Sequence, residues 1–408
     1  MKKKILFSFL LILVCFIFST PSFAANYVAS VDGKSYTSFQ KAVDSMKSGQ
    51  TLTVLTNIKT DKTVTIKGGN KELNINFASN KYSYTGNACA FKISSRNIVI
   101  RGMKLSSNNY VFKIMKGASL TIQNGSSSGY IDNRGTLIIK NGSFNTNGAK
   151  ESDNDELIYN HNKLTIDKGT FTATTDNAVC SDAGETIVNG GTFKGSATDD
   201  STFYATVNNA KESILTIYAG TFTGIGPSIC NNGKKTIING GNYCSSEYPS
   251  IVNQATTYIN GGRIRNDTKE GFAAYNDKGT LIINDGSFEN AVGNETKGKK
   301  YLLINDGTFR SPTNIINIGN YGGTLRIKNG DFLSKKGNAI YNENGHVKIS
   351  GGYFKSTKGY YALWNEDKAT LTGGTFYTTG GNGKDIGCKT GATITVSQNV
   401  DGQVDYKN

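Results

Sequence analysis

Histidine is almost missing from this 408-residue sequence, with only His161 and His346 present. That argues against most imidazole-based acid–base chemistry and against His-containing zinc sites. Cysteine is sparse. Cys15 falls in the N-terminal apolar run, and Cys89, Cys180, Cys230, Cys244 and Cys388 are scattered with no CxxC. An odd, irregularly spaced set describes neither a disulfide framework nor structural zinc. Proline is rare, at 4 residues against 48 glycines. A disordered linker protein would be rich in both, so the glycine is positional. Beyond residue 24 no apolar run is long enough to span a bilayer.

The chain opens with Lys2, Lys3 and Lys4, an apolar run from Ile5 to Phe18, and then Pro21-Ser22-Phe23-Ala24. This is the pattern of a secretory signal cleaved after Ala24. It predicts a secreted, extracellular protein with no membrane partner after cleavage, retained at a cell surface, if at all, by noncovalent contacts. The net charge of +14 is spread along the chain. Export argues against a nucleic-acid partner. A positive rod suits wall polymers, mucins or uronic-acid polysaccharides.

The glycines have a period. Those two residues before an aromatic fall at Gly142, Gly169, Gly191, Gly220, Gly241, Gly262, Gly286, Gly307, Gly330, Gly352 and Gly374. The steps are 27, 22, 29, 21, 21, 24, 21, 23, 22 and 22 residues, which is the mark of stacked repeats. Two residues on, every copy is Phe or Tyr except Ile264. Helical repeats are excluded, because Gly, Thr, Asn and Ile are poor helix formers and no i, i+3, i+4 pattern persists. Leu164 and Ile166 flank Thr165, and Leu325 and Ile327 flank Arg326, which is strand alternation. An asparagine column precedes the glycine: Asn133, Asn160, Asn209, Asn231, Asn253, Asn276, Asn320, Asn342 and Asn365. Ser181 replaces it once, and the repeat before Gly307 lacks it. An apolar residue lies two positions before each asparagine, so that column points inward.

On these columns the sequence resembles right-handed parallel β-helix proteins of the pectate-lyase-like superfamily. More narrowly it resembles the GGTF-repeat proteins exported by Gram-positive bacteria. The resemblance spans roughly Thr51 to Val400 and implies an all-β, single-stranded parallel β-helix, a solenoid of ~22-residue coils. Each coil would carry three short strands, with a stacked asparagine ladder at one turn. Residues 1–24 are then the signal, 25–50 an N-terminal cap, 51–400 the solenoid and 401–408 a polar tail. In the cap, Phe39, Ala42, Val43 and Met46 share one face of a short capping α-helix, with Thr37 and Gln40 as a capping box. A helix over the first coil would protect an open β-edge.

The resemblance also says what to look for chemically. Calcium-dependent lyases of this fold carry a Trp-Ile-Asp-His stretch, which is missing here. Polygalacturonases carry Asn-x-Asp, Asp-Asp, Gly-His-Gly and Arg-x-Lys in order. This chain has Asp199-Asp200 and Arg326-Ile327-Lys328, but neither histidine is followed by glycine. No catalytic residue is assigned. Two long coils place Asp153, Asp155 and Glu156 near Asp199 and Asp200, an acidic pair of loops that is either solvated or a calcium site. Calcium is the one cofactor considered.

The residue before each ladder asparagine should face outward. In the later coils this column gives Tyr275, Tyr341 and Trp364, with Tyr360 and Tyr361 close by, a set suited to stacking on sugar rings. Lys355, Lys358 and Lys368 would suit an anionic glycan. A second outward column presents Ile237, Tyr258, Ile282 and Leu303 as an apolar contact stripe. Cys180 and Cys230 share the first column two coils apart, too far for a disulfide. The favoured reading is a noncatalytic, adhesin-like carbohydrate-binding protein whose partner is a polysaccharide, surface glycan or cell surface. The alternatives are a polysaccharide lyase or glycoside hydrolase acting on an acidic polymer, and a structural spacer. Fold alone does not choose among them.

Overall fold

The computed structural model describes residues 26–67, 71–146, 156–174, 176–195, 205–312, 316–357, 359–379 and 384–407. They form an all-β parallel solenoid of about 15 coils. Three strands per coil build three parallel ladders. In the first, Leu281, Leu302 and Leu325 are successive partners, and so are Ile283, Ile304 and Ile327. In the second, Phe288 pairs with Phe309 and Phe309 with Phe332. In the third, Ile229, Ile251 and Ala274 follow one another beside Asn231, Asn253 and Asn276. Alternation buries these apolar side chains and turns their neighbours outward.

The first and second ladders meet at the glycine column. All eleven of its members have φ between +106° and +144°. A β-carbon at Gly307 would lie 3.1 Å from the Gly286 carbonyl oxygen and 3.2 Å from the Phe309 ring. The bend therefore needs glycine both for its dihedral and for the close approach of the next coil. Beyond it the rings stack face to face. Centroids lie 4.7–5.0 Å apart, with interplanar angles of 14° or less, from Phe144 to Tyr243 and from Phe288 to Phe376. Ile264 is the aliphatic break between the two stacks.

The turn from the third ladder into the next coil carries the asparagine ladder. From Asn209 to Asn365 each side-chain amide donates to the next Oδ1 at 2.6–3.1 Å. These asparagines are fully buried, so each amide satisfies a group that water cannot reach. One expectation is corrected here. The coil before Gly307 does have its rung, Asn294, between Asn276 and Asn320. Extra residues from Thr296 to Lys300 displace it from the usual spacing. At Ser181 the shorter side chain is supplemented by Thr186, which receives the Asn160 amide at 3.0 Å.

The N-terminal cap is a helix plus a hairpin. Helix α1, Phe39–Ser45, buries Phe39, Ala42 and Val43, with Met46 also buried just beyond it. Its N-cap is Ser38 rather than Thr37, with Ser38 Oγ accepting from Lys41 N at 3.4 Å. Gln40 does not close a capping box. Its side chain donates to Thr65 O at 2.9 Å and accepts from Thr65 N at 2.8 Å, completing the backbone of the first coil. Ala29–Val31 pairs antiparallel with both Lys34–Tyr36 and Thr51–Val54, which closes the edge of the first ladder. Gln40→Ala should therefore cost about 1 kcal/mol. Hydrogen exchange at Thr65 should accelerate while coils beyond residue 200 keep their protection. Unchanged exchange at Thr65 would show that the clasp is not formed.

At the other end, pairing continues past residue 400. Val404–Tyr406 pairs with Ile386–Cys388, and buried Asp405 binds Lys384 at 2.7 Å, Lys407 at 2.9 Å and the Tyr361 hydroxyl at 2.8 Å. These partners, Lys384 foremost, hold the Asp405 carboxyl well below the usual range. All five described cysteines are free, and Asn208 separates Cys180 from Cys230 in the register. Among the described residues, no helix is long and apolar enough to cross a membrane.

Candidate functional site

The outward column of the third ladder divides in two. Its earlier part is covered, since Cys180, Cys230 and Val252 are buried and Ala205 packs on the latter two. The expectation that this column meets solvent is corrected for those coils. Ala205, just before the third-ladder strand Val207–Asn209, is the described residue that covers Cys230 and Val252.

The later part is partly exposed and aromatic. Tyr341 and Trp364 are direct partners on adjacent coils. Trp364 lies 5.1 Å from Tyr361 between centroids, tilted by 35°, and Tyr341 lies 6.4 Å from Tyr321. Tyr321 in turn meets Phe272 at 6.3 Å, and Phe272 meets Tyr275 at 5.0 Å. The expected residues Tyr275, Tyr341, Tyr361 and Trp364 thus belong to one ledge, completed by Phe272 and Tyr321. Tyr360 stands apart, 39 % exposed, with no ring partner among the described residues.

Glycine lets the rings lie flat. A β-carbon at Gly293 would sit 2.5 Å from the Tyr275 ring, and one at Gly387 only 2.3 Å from the Trp364 ring. Each ring lies across the glycine of the following coil. Pro249, Phe272, Tyr275, Glu295, Tyr321 and Glu343 line an open hollow of about 600 Å³.

The charged groups that hold this ledge in place are carboxylates. Tyr275 donates to Glu295. Glu366 Oε1 accepts from Tyr341 at 3.1 Å and from the Trp364 indole at 2.8 Å, while its other oxygen meets Lys389 at 2.7 Å. Lys389, then Trp364 and Tyr341, hold the Glu366 carboxyl below its usual range. Burial, then Glu366, pushes the Tyr341 phenol up to about 12. Lys355 lies on the second ladder over the Tyr377 ring, Lys368 lies on the first ladder, and Lys358 is outside the described residues.

Sequence reasoning missed a second cluster on the same ladder. His161 Nδ1 lies 2.8 Å from Asp182, and its Nε2 lies 3.6 Å from Asp132. Tyr159 packs 4.1 Å from the His161 ring and donates to Asp182 at 3.0 Å. Arg134 and Lys211 neutralise the two aspartates. Burial opposes ionisation of Asp182, but hydrogen bonds from Lys211 and Tyr159, with His161 nearby, hold its carboxyl below the usual range. The signal was spacing: Asp132, His161 and Asp182 lie within two residues of successive ladder positions.

The apolar stripe is in register, with Ile237, Tyr258, Ile282 and Leu303 on four consecutive coils, each half-buried. Beside it runs an outer asparagine ladder, Asn239, Asn260, Asn284 and Asn305, joined at 2.6–2.8 Å. Of the calcium candidates, Asp153, Asp155, Asp199 and Asp200 lie outside the described residues. Glu156 is described, and burial first and then the Glu156 charge push the Cys180 thiol up. Among the described residues, no group of three or more His, Cys, Asp or Glu is placed to hold a metal ion.

No protein-family model matches the chain, and no curated protein and no solved structure is significantly similar to it. The geometry is therefore the ground on which function is read.

Proposed function

We propose that this chain is a noncatalytic, extracellular, right-handed β-helix of adhesin type that holds a glycan against the aromatic ledge. The observation that carries this is the continuous run of rings from Phe272 through Tyr321 and Tyr341 to Trp364, set at angles to one another, with carboxylates at its edge. Flat rings suit the C–H faces of sugars, and fixed carboxylates accept hydrogen bonds from ring hydroxyls. Glu295 and Glu343 on the hollow disfavour an anionic ligand there, so the ledge selects neutral sugars.

Trp364 is the only tryptophan in the chain, so its fluorescence reports the ledge directly. Titration with neutral oligosaccharides should change Trp364 emission. Tyr341→Ala should weaken binding about tenfold, as for a central aromatic contact. Neither neutral nor acidic oligosaccharides changing Trp364 emission would sink the ledge as a binding surface.

The lyase or hydrolase reading has one observation in its favour, the His161–Asp132–Asp182 cluster. Release of new reducing or unsaturated ends from a polysaccharide, lost in His161→Ala, would replace the binding reading with it.

A further inference from the structure

On the outer face of the first ladder, the last coils gather cations. Arg326 lies directly opposite Lys348 in the register, and His346 lies opposite Lys368. Lys328, just past the end of the Thr324–Ile327 strand, lines the same hollow as Arg326. Arg326, Lys328, Lys348 and Lys368 are all exposed. None of them takes part in an ion pair among the described residues. Earlier in the Lys328 column, by contrast, Lys140 meets Asp167 at 2.7 Å. Like charges directly opposite on neighbouring strands are destabilising. Here they stand one coil apart, ~4.8 Å. They border a hollow of about 360 Å³ lined by Leu303, Arg326, Lys328, Lys348, Thr370 and Thr372.

We propose that this hollow binds the acidic groups of a linear polysaccharide, with Arg326, Lys328 and Lys348 facing carboxylates or sulfates and Thr370 and Thr372 facing ring hydroxyls. The cations follow one another from coil to coil, so the polymer lies along the solenoid axis. Charge and hydroxyls together select an acidic sugar chain over a nucleic acid. Single strands need exposed rings on which bases stack. The ring at this edge, Tyr301, is already covered by Arg326, 5.1 Å from its centroid. The hollow lies on a different ladder from the aromatic ledge, and the inference does not rest on that ledge.

His346 is a built-in reporter. Its Nε2 lies 2.8 Å from Thr370 Oγ1. Burial, then Lys348 and Lys368 and finally Arg326, lowers its pKa, while Asp367 alone works the other way. With only two histidines, proton NMR resolves both titrations in the mature chain. The probes are an oligogalacturonate, which carries carboxylates, and a chondroitin sulfate oligosaccharide, which carries sulfates as well. At low salt at least one should bind and raise the His346 titration midpoint while leaving that of His161 unchanged. The arm that responds more strongly identifies the acidic group. Arg326→Ala combined with Lys348→Ala should weaken that binding about fivefold or more, the sum of two exposed ion pairs. Trp364→Ala should leave it intact. No shift of His346 with either probe would overturn the proposal. So would undiminished binding in the double variant, or equally tight binding of a single-stranded oligonucleotide of the same charge.

Discussion

Phe309→Ala should destabilise its region of the solenoid by about 3–5 kcal/mol, the usual cost of emptying a phenylalanine site in a packed core. The ring is fully buried. It lies 4.8 Å from Phe288 and 4.7 Å from Phe332, nearly parallel to both. Removing it leaves two stacked faces without a partner and a cavity that the parallel register cannot collapse. A stacked array unfolds by nearest-neighbour steps, so one global unfolding energy misstates the effect. The measurement is hydrogen exchange across Phe288 to Phe332, where protection should fall, with distant coils unaffected. Phe309→Ile is the control. Ile264 already occupies this column between Tyr243 and Phe288, so a branched aliphatic fits there. It should cost about 1–2 kcal/mol. If alanine and isoleucine cost the same, the stack contributes no more than bulk.

The same column shows how much of the fold is written in the sequence. Glycine and the aromatic two residues later are fixed by local geometry, a positive φ and a ring stacked on its copy, so their period exposes the coil directly. The ladder asparagines are legible for the same reason, except Asn294, which is displaced by a longer turn. The hairpin Ala29–Tyr36 was also within reach, because Asp32-Gly33 between alternating residues is a tight-turn pair, and both have positive φ. The Gln40 clasp was not. Its partner is the backbone of Thr65, and a backbone leaves no mark on sequence.

The candidate site was half legible. Tyr275, Tyr341 and Trp364 emerged because they recur in a column. Gly293 and Gly387 escaped because a blank in a column reads as absence, although their lack of side chains is what flattens the rings. Glu295, Glu343 and Glu366 directly follow the ladder residue, where the repeat does not dictate identity. The coverage of Cys230 and Val252 depends on a contact with Ala205, outside the repeated columns, which no period announces.

Asn231→Ala should cost about 2–4 kcal/mol, the sum of the buried groups it leaves without partners. Asn231 Oδ1 accepts from the Asn209 amide at 2.9 Å and from Gly233 N at 3.3 Å. Its amide donates to Asn253 Oδ1 at 3.1 Å, Thr256 O at 2.9 Å and Thr257 Oγ1 at 2.8 Å. Asn209 keeps Lys235 O and Thr236, but the buried Gly233 N–H and the half-buried Thr256 carbonyl lose these bonds. The outer ladder supplies the comparison. Asn260 sits between Asn239 and Asn284 with the same amide-to-amide geometry, at 2.8 and 2.6 Å, but it is exposed. Water replaces its partners, so Asn260→Ala should change stability by no more than about 0.5 kcal/mol. The two substitutions remove the same side chain from the same kind of ladder and differ in burial. Hydrogen exchange at Gly233, whose N–H bonds Asn231 Oδ1, and at Asn284, the next rung after Asn260, whose N–H bonds Ile259 O, reads each locally. A large loss at both would assign the stabilisation to the ladder bonds themselves, and a loss confined to Gly233 assigns it to the desolvated groups those bonds satisfy.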